Sequence, residues 1–395
     1  MTAGERFSIV CLSSQDWHVD LPTNRQQIMR AAARRGHRVL FVETGSFIGR
    51  HLWALARGPR KSLAQRIFTT EEVVPGICVR KAVNLLPWGH KFRFPNAVNT
   101  ALTAARLRSA VAKLPRPVVF WIYDPCAAKL ASSSPNAFAV YDCVDDYPEQ
   151  AGPDAVRRAF VAAADEQAAK LSRLVFATTD PLYDRHRRIN PDTYLVPNVG
   201  DYRHFLSASD RSSTAPEVEG LPRPVLGFAG NLVTTKVDFA LLEAVAVARP
   251  EWTLLLVGPA RPDSAGILER LSELPNVHSI GPRPYEELPR YVAAFDVALI
   301  PYALNAYTRS CFPLKLYEYL AAGKPVVVSG LPQLEGLEPD VLVADGAADF
   351  VSAVETALAM RGEEERARRT SLAAKNTWET RTDRLLGLVA EQLRA

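Results

Sequence analysis

Residues 310–328 read Ser-Cys-Phe-Pro-Leu-Lys-Leu-Tyr-Glu-Tyr-Leu-Ala-Ala-Gly-Lys-Pro-Val-Val-Val. Leu314, Leu316, Tyr317, Leu320 and Ala321 recur at helical spacing, Gly323 stands where a left-handed C-terminal cap belongs, and Pro325 opens a β-branched run. The stretch predicts a short helix that turns at a glycine into a strand.

Lys315 and Glu318 lie three residues apart, so one face of that helix offers a cation and a carboxylate together. A cation and the free amides of a helix N-terminus suit a diphosphate, and a carboxylate can accept two hydrogen bonds from neighbouring ribose hydroxyls. A sugar nucleotide needs both. The structural alternative is an ordinary surface pair worth roughly 0.2–0.5 kcal/mol.

The run from Phe312 to Val328 closely resembles the donor-site segment of GT-B glycosyltransferases of the glycosyltransferase 4-like group. In that group the segment often carries two glutamates separated by seven residues, the second of which holds the donor ribose. Glu318 matches the second, whereas Ser310 stands where the first would be. In retaining members the first Glu lies near the donor sugar, so Ser310 leaves the stereochemical outcome open. The resemblance implies two facing Rossmann-like domains with parallel sheets, a nucleotide-sugar donor on the C-terminal one and an acceptor on the N-terminal one.

With 395 residues, 48% of them hydrophobic, the chain is long enough for two domains with separate cores. Only a short apolar run, Phe7 to Leu12, follows Glu5 and Arg6, which predicts neither a secretory signal nor a membrane span, and so a cytoplasmic protein. Five cysteines without a CxxC pair point to reduced thiols rather than to disulfides or a zinc site.

The net charge of +4 conceals a division. Residues 1–200 hold 27 Lys/Arg against 17 Asp/Glu, and residues 201–395 hold 20 against 26. Most of the basic excess lies in residues 50–116, interleaved with Trp53, Phe68, Trp88, Phe92 and Phe94. Such a stretch suits an anionic membrane or a lipid pyrophosphate, with a solvated helix face as the alternative. No nucleic-acid-binding motif accompanies the charge.

Phe7 to Leu12 reads as a strand, Asn24 to Arg35 as a helix closed by Gly36, and Arg38 to Glu43 as a second strand, which together make the βαβ unit of a parallel sheet. Ligands of such sheets bind beyond the carboxyl ends of the strands, so the loop from Ser13 to Arg25 is a candidate site wall, with His18 and Arg25 facing donor phosphate or acceptor. Further strands are expected at 76–81, 117–123, 137–142, 174–178 and 193–196. Two end in acidic loops, Trp-Ile-Tyr-Asp-Pro (121–125), which holds Asp124, and Tyr-Asp-Cys-Val-Asp-Asp-Tyr (141–147). A strand-end carboxylate can take a proton from an attacking hydroxyl, which makes Asp145 and then Asp146 the candidate bases. Helix capping is the alternative, above all for Asp146. The position of Asp145 also resembles that of a catalytic aspartate in inverting relatives. Both loops, Arg34 to Glu43, and Val196-Pro197-Asn198-Val199 with Asp201 resemble a bacterial subgroup that makes cell-surface polysaccharides and teichuronic-acid-like polymers. Val199 takes the place usual for glycine.

Residues 203–224 lose apolar periodicity and read as a linker, dividing the chain into 1–202, 225–376 and a final helix, 377–395, which the resemblance has crossing back to the N-terminal domain with Trp378 as its anchor. The second α/β series starts with a strand at 224–229, a loop from Gly230 and Asn231 to Lys236, and a helix at 237–248. Strands are expected at 252–258, 277–281 and 297–301, with a helix at 285–295. Gly230 lets a backbone approach an anion, and Lys236 can reach a phosphate. The resemblance adds Arg283, beside the base, and Ser310, Leu314, Lys315 and Glu318 to this donor pocket. No GxGxxG follows a strand and no Asp-x-Asp metal motif occurs, so neither a dinucleotide nor a metal is expected.

The reading is therefore a metal-independent glycosyltransferase moving a sugar from a nucleotide diphosphate sugar, UDP-linked by preference, to a glycan or lipid-linked hydroxyl. Its rivals are a sugar-nucleotide 2-epimerase of the same fold and an inactive glycan- or nucleotide-binding partner.

Overall fold

A computed structural model describes residues 6–48, 70–133 and 137–395. The chain divides into two compact units, 1–197 with 381–395, and 198–380.

In the first unit the strands are β1 (Ser8–Ser13), β2 (Arg38–Phe47), β3 (Glu71–Val74), β4 (Ile77–Asn84), β5 (Val118–Ile122), β6 (Phe138–Cys143), β7 (Leu174–Ala177) and β8 (Thr193–Leu195). They form one sheet in the order β3-β4-β2-β1-β5-β6-β7-β8. Each neighbouring pair is parallel except the hairpin β3–β4 at one edge. All residues of β1 and β5 are buried, as expected of strands covered on both faces by crossover helices. The helix Asn24–Arg34 starts at a capping box, where the Gln26 side chain accepts the Thr23 amide at 3.0 Å, and ends before Gly36, whose φ of 90° is left-handed.

The second unit contains β9 (Val225–Ala229), β10 (Thr253–Val257), β11 (Val277–Ser279), β12 (Val297–Ile300), β13 (Val326–Ser329) and β14 (Val341–Ala344). Their order, β11-β10-β9-β12-β13-β14, is the Rossmann arrangement, and the strand order reverses between β9 and β12. The helix Lys315–Ala321 closes in a Schellman turn, in which Lys324 N donates to Tyr319 O at 3.0 Å and Gly323 N to Leu320 O at 2.9 Å. Gly323 has φ 69°, the conformation its place in the sequence requires.

Two expectations need correction. Residues 203–224 are not a bare linker. They fold into the short helices Tyr202–Phe205 and Pro216–Glu219 and bury Phe205, Ala208, Ala215 and Val218 within the second unit, so that the division falls at 197/198. The helix expected over 285–295 shrinks to a 3-10 turn, Tyr285–Glu287, and Leu288–Val292, with Pro289 in its first turn. The terminal helix, Trp378–Arg394, has Trp378 buried, and residues 381–395 group with the first unit.

Candidate functional site

In the second unit the site builds up at the carboxyl ends of β9, β10 and β12, where the strand order reverses and open α/β sheets bind ligands. The turns after β9 and β10 touch: a Cβ on Gly258 would lie 1.9 Å from the Gly230 carbonyl oxygen. Only a glycine fits there, at φ 146°. A Cβ on Gly230 would lie 2.1 Å from Lys315 Cε, so the lysine side chain crosses directly over this glycine. The Lys315 amine also stands 5.8 Å from the centre of the Phe228 ring.

Burial pushes the Lys315 pKa down, Glu318 opposes that shift, and Lys236 adds to it. Glu318 moves the other way: burial raises its carboxyl to about 7, with Lys315 lowering it and Asp201 raising it further. Neither side chain has a hydrogen-bond or ion-pair partner among the described residues. The sheet end thus holds a partly desolvated cation and carboxyl that feel each other's field but are held in no ion pair or hydrogen bond among the described residues. An anion would complement the first and hydroxyl donors the second. Lys236 reaches the same field, its amine 5.3 Å from the Tyr307 ring centre. Asn231 is exposed, Leu314 is the N-cap residue of the Lys315 helix, and Ser310 is buried in the turn Thr308–Ser310.

Arg283 departs from expectation. Its guanidinium forks onto Glu217 at 3.0 and 3.1 Å, and also bonds Tyr291 Oη at 2.9 Å and Ile280 O at 2.6 Å. The reason is the folded segment 203–224, which carries Glu217 to it and commits a side chain expected to face the donor. The stretch just before it, 198–201, supplies contacts that the sequence showed only as a signature. A Cβ on Gly200 would lie 2.8 Å from the Glu318 amide and from Tyr317, so the close approach to this helix falls to Gly200, one residue after Val199. Asn198 Nδ2 donates to Phe312 O at 2.9 Å, while Asp201 caps His204 N and accepts Tyr285 Oη at 3.1 Å. An asparagine, a glycine and an aspartate in four residues after a strand were the available signal.

In the first unit the acidic loop after β6 resolves into different roles. Asp142 is fully buried and accepts Arg381 Nη2 at 3.1 Å and Trp121 Nε1 at 3.2 Å. Asp146, 2% exposed, takes a fork from Arg185 at 3.0 and 2.5 Å and caps Glu149 N. It is a cap and an ion-pair partner, and its oxygens are spent on those bonds, which removes it as a base. Asp145 is half-buried, and its field acts on Arg25. That arginine is 3% exposed, donates to Tyr147 Oη at 3.3 Å and stands 5.5 Å from the Tyr123 ring centre. The fold brings Arg25 to Asp145, while His18 is exposed. Asp124 accepts Cys126 N at 2.9 Å and lines a cleft of about 140 Å³ with Ser13, Glu43, Asn84, His90 and Asn99; neither His18 nor Arg25 lines it.

Beneath the acidic loop, ligand atoms of Cys143, Asp165 and His186 lie within 4.8 Å of one another, all buried. By residue type they could hold a metal. Tyr141 Oη already donates to one Asp165 oxygen, and burial raises the Cys143 thiol and lowers the His186 imidazole, so both stay neutral as they stand.

Comparison with known proteins agrees with this geometry. Residues 223–360 match the family model described as glycosyl transferases group 1. TuaH of Bacillus subtilis (strain 168), a glycosyltransferase assigned by name to teichuronic acid biosynthesis, is 34% identical over 190 residues. That match spans 47% of this chain and 47% of the relative, about half of each. Sucrose-phosphate synthase of Thermosynechococcus elongatus superposes with a TM-score of 0.72 at 16% identity, covering 98% of this chain and 99% of that one. HepE of Anabaena, solved with UDP and glucose, gives 0.69 at 15% identity, covering 98% and 100%. At such identities the likeness fixes the fold.

Proposed function

We propose, from the premise that this chain has the GT-B fold and carries a glycosyl transferases group 1 domain, that it transfers a sugar from a nucleoside diphosphate sugar to a hydroxyl acceptor in surface-glycan synthesis. The observation that carries the reading is Lys315, laid over Gly230 beside Glu318, with neither held in an ion pair or hydrogen bond among the described residues. In this reading the donor diphosphate lies against Lys315 and Lys236 and its ribose hydroxyls donate to Glu318. The bond from the anomeric carbon to the diphosphate breaks with its electron pair on the leaving oxygen, where the two lysines stabilise the growing charge. The acceptor oxygen forms the new bond and gives its proton to Asp145. With two lysines placed for that charge, we propose transfer without a divalent ion.

HepE structures that contain UDP and UDP-glucose make UDP-sugars the first donors to try. The name of TuaH supports a polysaccharide or lipid-linked acceptor. No helix among the described residues is long and apolar enough to cross a membrane. Leu85, Trp88, Phe92 and Phe94 are exposed around Lys91 and Arg93, which supports docking of the first unit on anionic lipid at the cytoplasmic face. The part of that basic stretch holding Trp53 and Phe68 lies outside the described residues.

The test is incubation with a panel of nucleotide sugars without acceptor. Slow release of nucleoside diphosphate supports a transferase. Appearance of the free 2-epimer would replace it with an epimerase, and binding with no turnover, even when glycan acceptors are added, would reduce the chain to a binding partner.

A further inference from the structure

At the opposite end of the second sheet's strands, before the amino ends of β12 and β13, lies a cavity of about 570 Å³. Its lining includes Arg211, Lys324, Arg361, Arg366 and Arg369, against two carboxylates, Asp210 and Asp296. Of the two, Asp296 is answered by cations, while Asp210 keeps its charge at the exposed rim. Asp296, 3% exposed, pairs with Arg211, Arg223 and Arg361 and accepts the Val225 amide at 2.8 Å. Asp210 is engaged by the Ser212 amide and hydroxyl. Three cations remain under-neutralised. Lys324, 6% exposed, donates to Ala293 O at 2.9 Å and has no carboxylate within ion-pair distance among the described residues. Among the described residues Arg366 has one ion-pair partner, the 84% exposed Glu363 at 3.5 Å, and feels Asp210 only through its field. Arg369 shares Asp340 with Arg368.

We propose that this cavity binds a small molecule bearing a phosphate group, at a site separate from the donor pocket. The Arg366 guanidinium and the partly desolvated Lys324 amine match the oxygens of a phosphate, with Arg369, held by Asp340 and the Gly323 and Met360 carbonyls, adding to the positive field, and the volume falls in the range of small-ligand pockets. Burial holds the Lys324 amine down at about 8, with Arg223 and Arg366 among the charges that lower it; a bound dianion reverses that shift. The cavity sits at the amino ends of the strands whereas Gly230, Lys315 and Glu318 sit at the carboxyl ends, so the two sites can be addressed one at a time.

The experiment is calorimetric titration of the full chain with inorganic pyrophosphate in chloride buffer. Lys315→Ala weakens the donor pocket and should leave pyrophosphate binding at the second site. In that background Arg366→Gln should weaken the remaining binding about tenfold, and Arg366→Glu further, one charge-assisted contact being lost and then reversed. Arg366 is a surface residue, so both variants should unfold at the wild-type temperature; circular dichroism checks this. Loss of all pyrophosphate binding in Lys315→Ala alone, or affinities unmoved across the Arg366 series, would overturn the proposal.

Discussion

The Lys315–Glu318 helix and the acidic loop Tyr141–Tyr147 are both strand-end clusters of charge, yet they are built in opposite ways. In the loop the fold answers charge with charge: Asp142 has Arg381 and Asp146 has Arg185, both carboxylates being almost wholly buried. At the helix the fold desolvates a lysine and a glutamate and, among the described residues, holds neither in an ion pair; each feels the other's field, but burial outweighs it and their protonation shifts. Charges that hold a structure together are paired at folding, whereas charges meant for a ligand stay unmatched until it arrives. Within the loop Asp146 is committed to Arg185 and to its helix cap, and Asp145 remains the residue proposed for proton transfer.

The largest effect tests that separation. Asp145→Asn keeps shape but removes the proton acceptor, and turnover should fall roughly 10²- to 10⁴-fold while donor affinity stays in place. An inverted product formed at near-normal turnover would assign the base elsewhere; a retained product would mean that the leaving diphosphate assists the acceptor. Next in size, Arg381→Ala leaves Asp142 buried and unpaired and should cost about 3–5 kcal/mol of unfolding free energy in urea. If it costs less than about 1 kcal/mol, the paired half of the comparison fails.

Glu318→Ala should behave in the reverse sense. It should lose on the order of 2 kcal/mol of nucleoside diphosphate affinity by calorimetry, with stability unchanged or raised, because a desolvated carboxyl without a protein partner has been removed. Equal affinity would take Glu318 out of the site. The smallest effect is one of pH. With its carboxyl raised to about 7, the folded state holds the Glu318 proton more tightly than the unfolded chain does. The sign follows: this contribution to stability is complete below the ordinary carboxylate range and is lost as pH rises toward 7. Ribose hydroxyls need the ionised form, so the affinity advantage of wild type over Glu318→Gln should grow about tenfold between pH 6 and 8. A constant advantage would show that the carboxyl titrates well outside that window.

Most of the regular structure was legible because the central strands of both sheets are parallel and buried on two faces, which writes them as apolar runs such as Val118–Ile122 and Val297–Ile300. Glycine at 36 and 323 was legible for a local reason, since the left-handed turn is a property of one residue. Segment 203–224 was misread because its burial rests on scattered single residues, Phe205, Ala208, Ala215 and Val218, with no period to betray them. Arg283 was misread with it, because Glu217 becomes its neighbour only when that segment folds.

By itself the sequence determined the alternation of strands and helices, the α/β class and the nearness of Lys315 and Glu318 on one helix, since each depends on residues within a few positions of one another. Tertiary structure alone decided which charges are spent. Asp142 meets Arg381 across 239 residues and Asp146 meets Arg185 across 39, and no local pattern encodes either meeting. The unanswered state of Lys315 and Glu318 was equally invisible, because the availability of a charge is fixed by everything packed around it, while its presence is fixed by one codon.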